Sequence, residues 1–101
     1  MDIFELLALK GTSKILIALY NNGTLIYSEL VEVVGYSTTT NRAIRKLLKL
    51  KLIKRKVLNN RYRPVAYYLT DSGRELSEIL QKLIEFEKRL KSKDELTSRT
   101  K

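Results

Sequence analysis

Apolar positions recur every three or four residues along most of this chain and alternate only briefly. Ile3, Phe4, Leu6, Leu7 and Leu9 predict a short helix ending near Gly11. Ile15, Leu16, Ala18 and Leu19 predict a second, with Thr12 or Ser13 as its cap. Asn21-Asn22-Gly23 stops it, because Asn and Gly tolerate the left-handed conformation of a C-terminal cap. The tetrapeptide TLIY then reads as a short β segment. Ser28 is placed to cap a helix over ELVEVVG, with Leu30, Val31 and Val34 inward and Glu29 and Glu32 near its positive end. Gly35 closes that helix, and two residues later Ser37 opens the next, which runs from about Thr38 to Leu50. Its inward stripe is Thr40, Ala43, Ile44, Leu47 and Leu50; its outward face is Thr38, Thr39, Asn41, Arg42, Arg45, Lys46 and Lys49. Two short helices joined by a tight glycine turn make a helix-turn-helix candidate.

The rhythm then changes. LIKRKVL and VAYYL read as two strands around NNRYRP, whose Asn and Pro are turn residues, so a hairpin with its tip near Asn59 to Arg63 is expected. Pro64 has no amide hydrogen for a ladder and belongs to the loop or an edge. Thr70 caps a long last helix, with Asp71 in its first turn. Leu76, Ile79, Leu83, Phe86 and Leu90 are spaced three, four, three, four, which is a coiled-coil repeat, and Leu80 and Ile84 widen the stripe. The stripe exceeds the needs of one small body, so a homodimer interface through it, together with the N-terminal helix, is expected. From about Ser92 the tail is polar and is expected to fray, leaving residues 93–101 outside the fold. The fold class is α+β, mostly α. The chain of 101 residues suits one domain, with a helical and hairpin body at about 8–70 and the last helix at about 71–92.

Charge sharpens the picture. The net charge is +9, from 20 basic and 11 acidic residues. No acid lies between Glu32 and Asp71, whereas ten bases do, from Arg42 to Arg63. Clustered basicity of this kind points to a polyanion, most simply nucleic acid. The chain has no cysteine and no histidine, which excludes disulfides, the usual zinc sites and Ser-His-Asp or Cys-His catalysis. No acidic cluster reads as a magnesium site, and no catalytic constellation is in view, so neither an enzyme nor a metal or other cofactor is expected. The N-terminus lacks a basic region and is broken by Glu5, so no signal peptide is expected there, and no apolar run could span a bilayer. A cytoplasmic protein without a membrane partner is expected.

The order of elements resembles a winged helix-turn-helix domain, and specifically the small bacterial and archaeal transcriptional regulators of the HxlR, PadR and MarR type. Two motifs carry the resemblance. IRKLLKLKLIKR, Ile44 to Arg55, is similar to the end of the family's recognition helix. YYLTDSGREL, Tyr67 to Leu76, is similar to the family's Tyr-x-Leu-Thr-x-x-Gly-x-x-Leu, which closes the wing and opens the last helix. One departure stands out. Lys51 occupies the place of the family's C-cap glycine, and a left-handed lysine costs about 1 kcal/mol, so the helix is expected to end differently here.

The resemblance implies double-stranded DNA as partner, with the helix at 38–50 in the major groove and the wing at 53–69 near the minor groove. Ser37, Thr38, Thr39, Asn41, Arg42, Arg45, Lys46 and Lys49 are the recognition-helix candidates. Asn41 suits adenine and Arg42 or Arg45 guanine; which of them reads a base and which holds phosphate stays open, and Lys46 and Lys49 fit phosphate better. Lys54, Arg55 and Lys56 lie in a strand, so only part of that run can face DNA. At the wing tip Arg61 and Arg63 flank Tyr62 at period two, which can set both guanidiniums on one side for a narrow minor groove. Tyr67 is structural by the motif, and Tyr20, Tyr27 and Tyr68 sit among core residues. A homodimeric sequence-specific regulator is expected, or alternatively an architectural, chromatin-like protein that coats DNA without sequence preference. No residue set announces a small-molecule effector. A lysine- and isoleucine-rich chain without cysteine suits a thermophilic archaeon, or its virus or plasmid.

Overall fold

The computed structural model describes residues 2–100, with side chains through residue 93. Its elements are α1 (Ile3–Ala8), α2 (Thr12–Asn22), β1 (Thr24–Ile26), α3 (Tyr27–Val34), α4 (Ser37–Lys49), β2 (Ile53–Val57), β3 (Val65–Leu69) and α5 (Asp71–Thr100). The three strands form one antiparallel sheet in the order β1-β3-β2. The hairpin supplies β2 and β3 in the register Ile53↔Leu69 to Val57↔Val65, and the short early strand joins through Thr24↔Tyr68 and Ile26↔Ala66. This is the winged helix-turn-helix architecture, mostly helical, with a small sheet and a long last helix.

One continuous core lies between the helices and the inner face of the sheet. Leu6, Ile15, Leu16, Leu19, Leu30, Ala43, Ile44 and Leu47 meet Ile53, Tyr67 and Leu69 there. Apolar residues at helical spacing on α2 and α4 and at alternate places on the strands converge because each element has only one apolar side to bury. Gly35, at φ +105, makes the tight turn between α3 and α4 in the left-handed region that a side chain disfavours.

Several local expectations fail for identifiable reasons. Neither Thr12 nor Ser13 caps α2: the cap is Gly11, and Thr12 is the first helical residue. The Thr12 hydroxyl is buried, 2.8 and 3.0 Å from the carbonyls of Leu6 and Leu9, so it ties α1 to α2 instead. Ser28 does not cap α3, which begins one residue earlier behind Ile26. The Glu29 carboxylate accepts from the Ile26 amide at 2.9 Å and does the capping from within the first turn. Leu50 does not face inward; it is the exposed C-cap of α4, since the helix ends before its next inward turn. The expectation of a tail frayed from 93 differs from the backbone, which stays helical to Thr100. The tail contains neither glycine nor proline to stop it. Residue 101 lies outside the described residues.

The end of α4 is the clearest correction. Lys51 does adopt the left-handed conformation, at φ +59. Its amide donates to the Leu48 carbonyl and the Leu52 amide to the Leu47 carbonyl, both at 3.0 Å, so the helix closes as it would with glycine. Thr70 holds this turn from the other side. Its hydroxyl donates to the Lys51 carbonyl at 2.8 Å and its amide to the Leu52 carbonyl at 3.1 Å. The same hydroxyl accepts from the Gly73 amide at 3.0 Å, which caps α5 as expected. A Cβ on Gly73 would fall 1.9 Å from the Leu52 carbonyl oxygen. Threonine and glycine three residues apart thus lock the start of α5 onto the end of α4.

Candidate nucleic-acid interface

The outward side of α4 is built by helical spacing alone. Thr40, Ala43, Ile44 and Leu47 are buried, which turns the residues between them to solvent. The Thr40 hydroxyl donates to the Tyr36 carbonyl at 2.7 Å and anchors the first turn. Ser37, Thr38, Asn41, Arg42, Arg45 and Lys49 are exposed, and Thr39 and Lys46 are half-buried. Arg42, Arg45, Lys46 and Lys49 line one shallow cleft of about 260 Å³. Among the described residues none of these four, nor Arg61 or Arg63, forms an ion pair with a carboxylate. The bases that an acid-free sequence segment places on α4 and at the wing tip are therefore left without carboxylate partners among the described residues.

The wing tip is organised by Asn60. Its side-chain oxygen accepts from the amides of Tyr62 (3.0 Å) and Arg63 (2.9 Å), and the Leu58 amide donates to the Pro64 carbonyl at 2.9 Å to close the loop. Arg61, Tyr62 and Arg63 are all exposed there. Arg63 has φ +45, so the segment turns rather than extends. The period-two argument for placing Arg61 and Arg63 on one side does not apply, because alternation belongs to extended chain. In β2, pairing sets Arg55 opposite Tyr67, on the side of Ile53, while Lys54 and Lys56 share the other side with Tyr68. The Lys56 ammonium lies 5.4 Å from the Tyr68 ring centroid.

Two contacts at α4 escape sequence reasoning. The Tyr27 hydroxyl lies 2.6 Å from Asn41 Oδ1, and the Lys10 ammonium lies 5.2 Å from the ring centroid of Tyr36, the N-cap of α4. Both join elements remote in sequence, where no local spacing could announce them. Tyr27 is half-buried, so its reading as a core residue covers only its ring.

On α5 the apolar stripe divides. Leu80 is buried in the chain's own core and Leu76 packs against it. Ile79, Leu83, Phe86 and Leu90 stay 50%, 53%, 53% and 47% exposed, and Ile84 lies at the margin. Leu80, expected at a dimer interface, is therefore not available to one: Ser77 and Leu80 form the side of α5 that faces α2, with the buried Ser77 hydroxyl 2.8 Å from the Gly73 carbonyl and 3.3 Å from that of Leu16.

No group of three or more carboxylates suited to a metal occurs among the described residues, and no described helix is long and apolar enough to cross a membrane. The model of the HxlR-like helix-turn-helix family matches residues 6–95. No curated protein matches the sequence. Among solved structures, the Staphylococcus aureus MepR–DNA complex is similar at 24% identity, TM-score 0.73, over 95% of this chain and 81% of that one. A mutant of Lactococcus lactis ZitR in apo form is similar at 22% identity, TM-score 0.71, over 95% and 71%; in two other ZitR structures the chain spans 57% and 60% of the neighbour. NadR in complex with 4-hydroxyphenylacetate is similar at 23% identity, TM-score 0.66, over 98% and 79%. At these identities the likeness is one of fold.

Proposed function

The chain belongs to the HxlR-like helix-turn-helix family of transcription regulators, and on that premise we propose that it is a homodimeric, sequence-specific, double-stranded DNA-binding regulator. The observation that carries the reading is the basic cleft of Arg42, Arg45, Lys46 and Lys49 on the outward side of α4, with no carboxylate paired to it among the described residues. An unneutralised row of this kind gains most from a polyanion, through counterion release. The MepR–DNA complex supports DNA as the polyanion by likeness of fold.

Within this proposal α4 enters the major groove. Ser37, Thr38, Thr39, Asn41, Arg42 and Arg45 meet bases and nearby phosphates, while Lys46 and Lys49 hold the backbone. Arg61, Tyr62 and Arg63 on the wing approach the minor groove. The exposed Ile79, Leu83, Phe86 and Leu90, with Ile84 at the margin, meet their counterparts in a second copy, and a two-fold dimer matches a pseudo-palindromic site. No effector or cofactor forms part of the reading, and no catalytic role does. The lysine-rich, cysteine-free composition supports a thermophilic archaeal source, and the family supports the cytoplasm as its place of work.

The same exposed bases also suit a protein that coats DNA without preference. Competition of a labelled genomic fragment against unlabelled random DNA separates the two. The proposed regulator keeps its fragment against at least about a hundredfold excess, whereas a coating protein surrenders it in proportion to competitor mass. Arg45→Ala should weaken the preferred fragment more than random DNA, and Lys49→Ala both alike. Equal losses on both DNAs from every α4 variant would refute sequence reading.

A further inference from the structure

Asn41 is not a free side chain on the outward side of α4. Its Oδ1 stands 2.6 Å from the hydroxyl of Tyr27, the first residue of α3, fourteen positions earlier. An O–H donor at that distance makes a short, well-formed hydrogen bond. A separation of 2.6 Å suits O–H···O and is short for N–H···O, so the carboxamide meets the hydroxyl through its oxygen and not its nitrogen. The two Nδ2 hydrogens are left for another partner, and among the described residues no hydrogen bond uses them. Tyr27 is itself fixed: it packs against the core, and the turn it sits on is held by Glu29 accepting from the Ile26 amide. A rigid ring therefore sets the angle of an exposed amide.

We infer that Tyr27 is a positioning residue for DNA recognition, which holds Asn41 with its amide donors turned outward to a purine acceptor edge in the major groove. This rests on the DNA-binding reading above and adds to it a second-element residue that sets base preference without reaching the base. An unrestrained asparagine exchanges donor and acceptor by rotating its terminal amide, and so accepts several base edges. A held one loses less freedom on binding and favours the edge that matches its donor end, adenine or guanine N7. The remaining lone pair of Oδ1 can still take the adenine N6 hydrogen.

The test uses the full chain and DNA sequences selected from a random pool with the wild type. Tyr27→Phe removes one oxygen and keeps the ring. The variant should melt like the wild type and bind random DNA with the same affinity and salt slope. It should lose about tenfold on the selected site, and a repeated selection should show relaxed preference at one position per half-site. Asn41→Ala should relax that same position, and the double variant should be no worse than Asn41→Ala alone. In the absence of DNA, the Asn41 side-chain amide resonances should shift in Tyr27→Phe. Unchanged selection by Tyr27→Phe, or additive losses in the double variant, overturns the positioning role while leaving DNA binding intact. Failure of the wild type to bind any DNA removes both, and binding without any selected site removes the role together with sequence reading.

Discussion

At the residue scale, the junction between α4 and α5 concentrates the strain and its relief. Lys51 sits at φ +59 because the core fixes both Leu47 before it and Ile53 after it. The chain must reverse in between, whatever residue stands there. Lys51→Gly should therefore stabilise the fold by about 1 kcal/mol in chemical denaturation, with no change in structure. Gly73→Ala should do the opposite, costing roughly 3 kcal/mol or more, since its Cβ would strike the Leu52 carbonyl, a backbone atom that cannot step aside. Thr70→Val should cost about 1 kcal/mol or more, with the cap of α5 and the bond to Lys51 lost together. A stabilising Gly73→Ala would show that this turn is not packed as described. The Thr-x-x-Gly spacing was legible in the sequence as a family motif. Its reason was not, because the partner is a carbonyl twenty-one residues earlier, in the turn between α4 and β2. The caps at Thr12 and Ser28 were misread for a related reason. Local chemistry favoured a hydroxyl at each, but tertiary contacts gave one hydroxyl to α1 and let Glu29 cap from inside its helix.

At the element scale, periodicity was a good guide wherever one side of an element is buried and the other is not. The outward side of α4 and the pairing of β2 with β3 follow directly from it. On α5 it joined two sides into one, since Leu76 and Leu80 serve the core of their own chain and only the next stripe over is exposed. A heptad pattern cannot tell an intramolecular neighbour from a second copy. The division has a measurable consequence. Leu80→Ala should lower stability by about 3 kcal/mol without first changing the mass of the folded protein. Leu83→Glu with Phe86→Glu should leave the melting temperature of the dilute protein nearly unchanged and convert the proposed dimer to monomer in sedimentation equilibrium. A double variant that remains dimeric would move the interface away from α5. At the wing, alternation fails because the segment turns at Arg63. The Asn60 side chain, which makes the turn, was legible only as turn chemistry.

At the scale of the whole molecule, shape and charge act together. The chain extends 61 Å along its longest axis and 28 and 24 Å across the others, because α5, about 45 Å long for its 30 residues, outruns the core it packs on. A helix that projects with an apolar stripe, on a body with a bare basic side, suits a pair of reading heads joined by their stems. Binding to any duplex should fall steeply with salt, and Lys49→Ala should reduce the slope of log affinity against log salt by about 1. That slope tests the electrostatics and not the reading of sequence. The direct test of the central claim is selection of bound duplexes from a random pool by the purified wild-type protein. The account predicts an enriched pseudo-palindrome whose half-sites lie about one helical turn, 10 to 10.5 base pairs, apart or a multiple of it. A pool that is bound and recovered without any enriched sequence would contradict it.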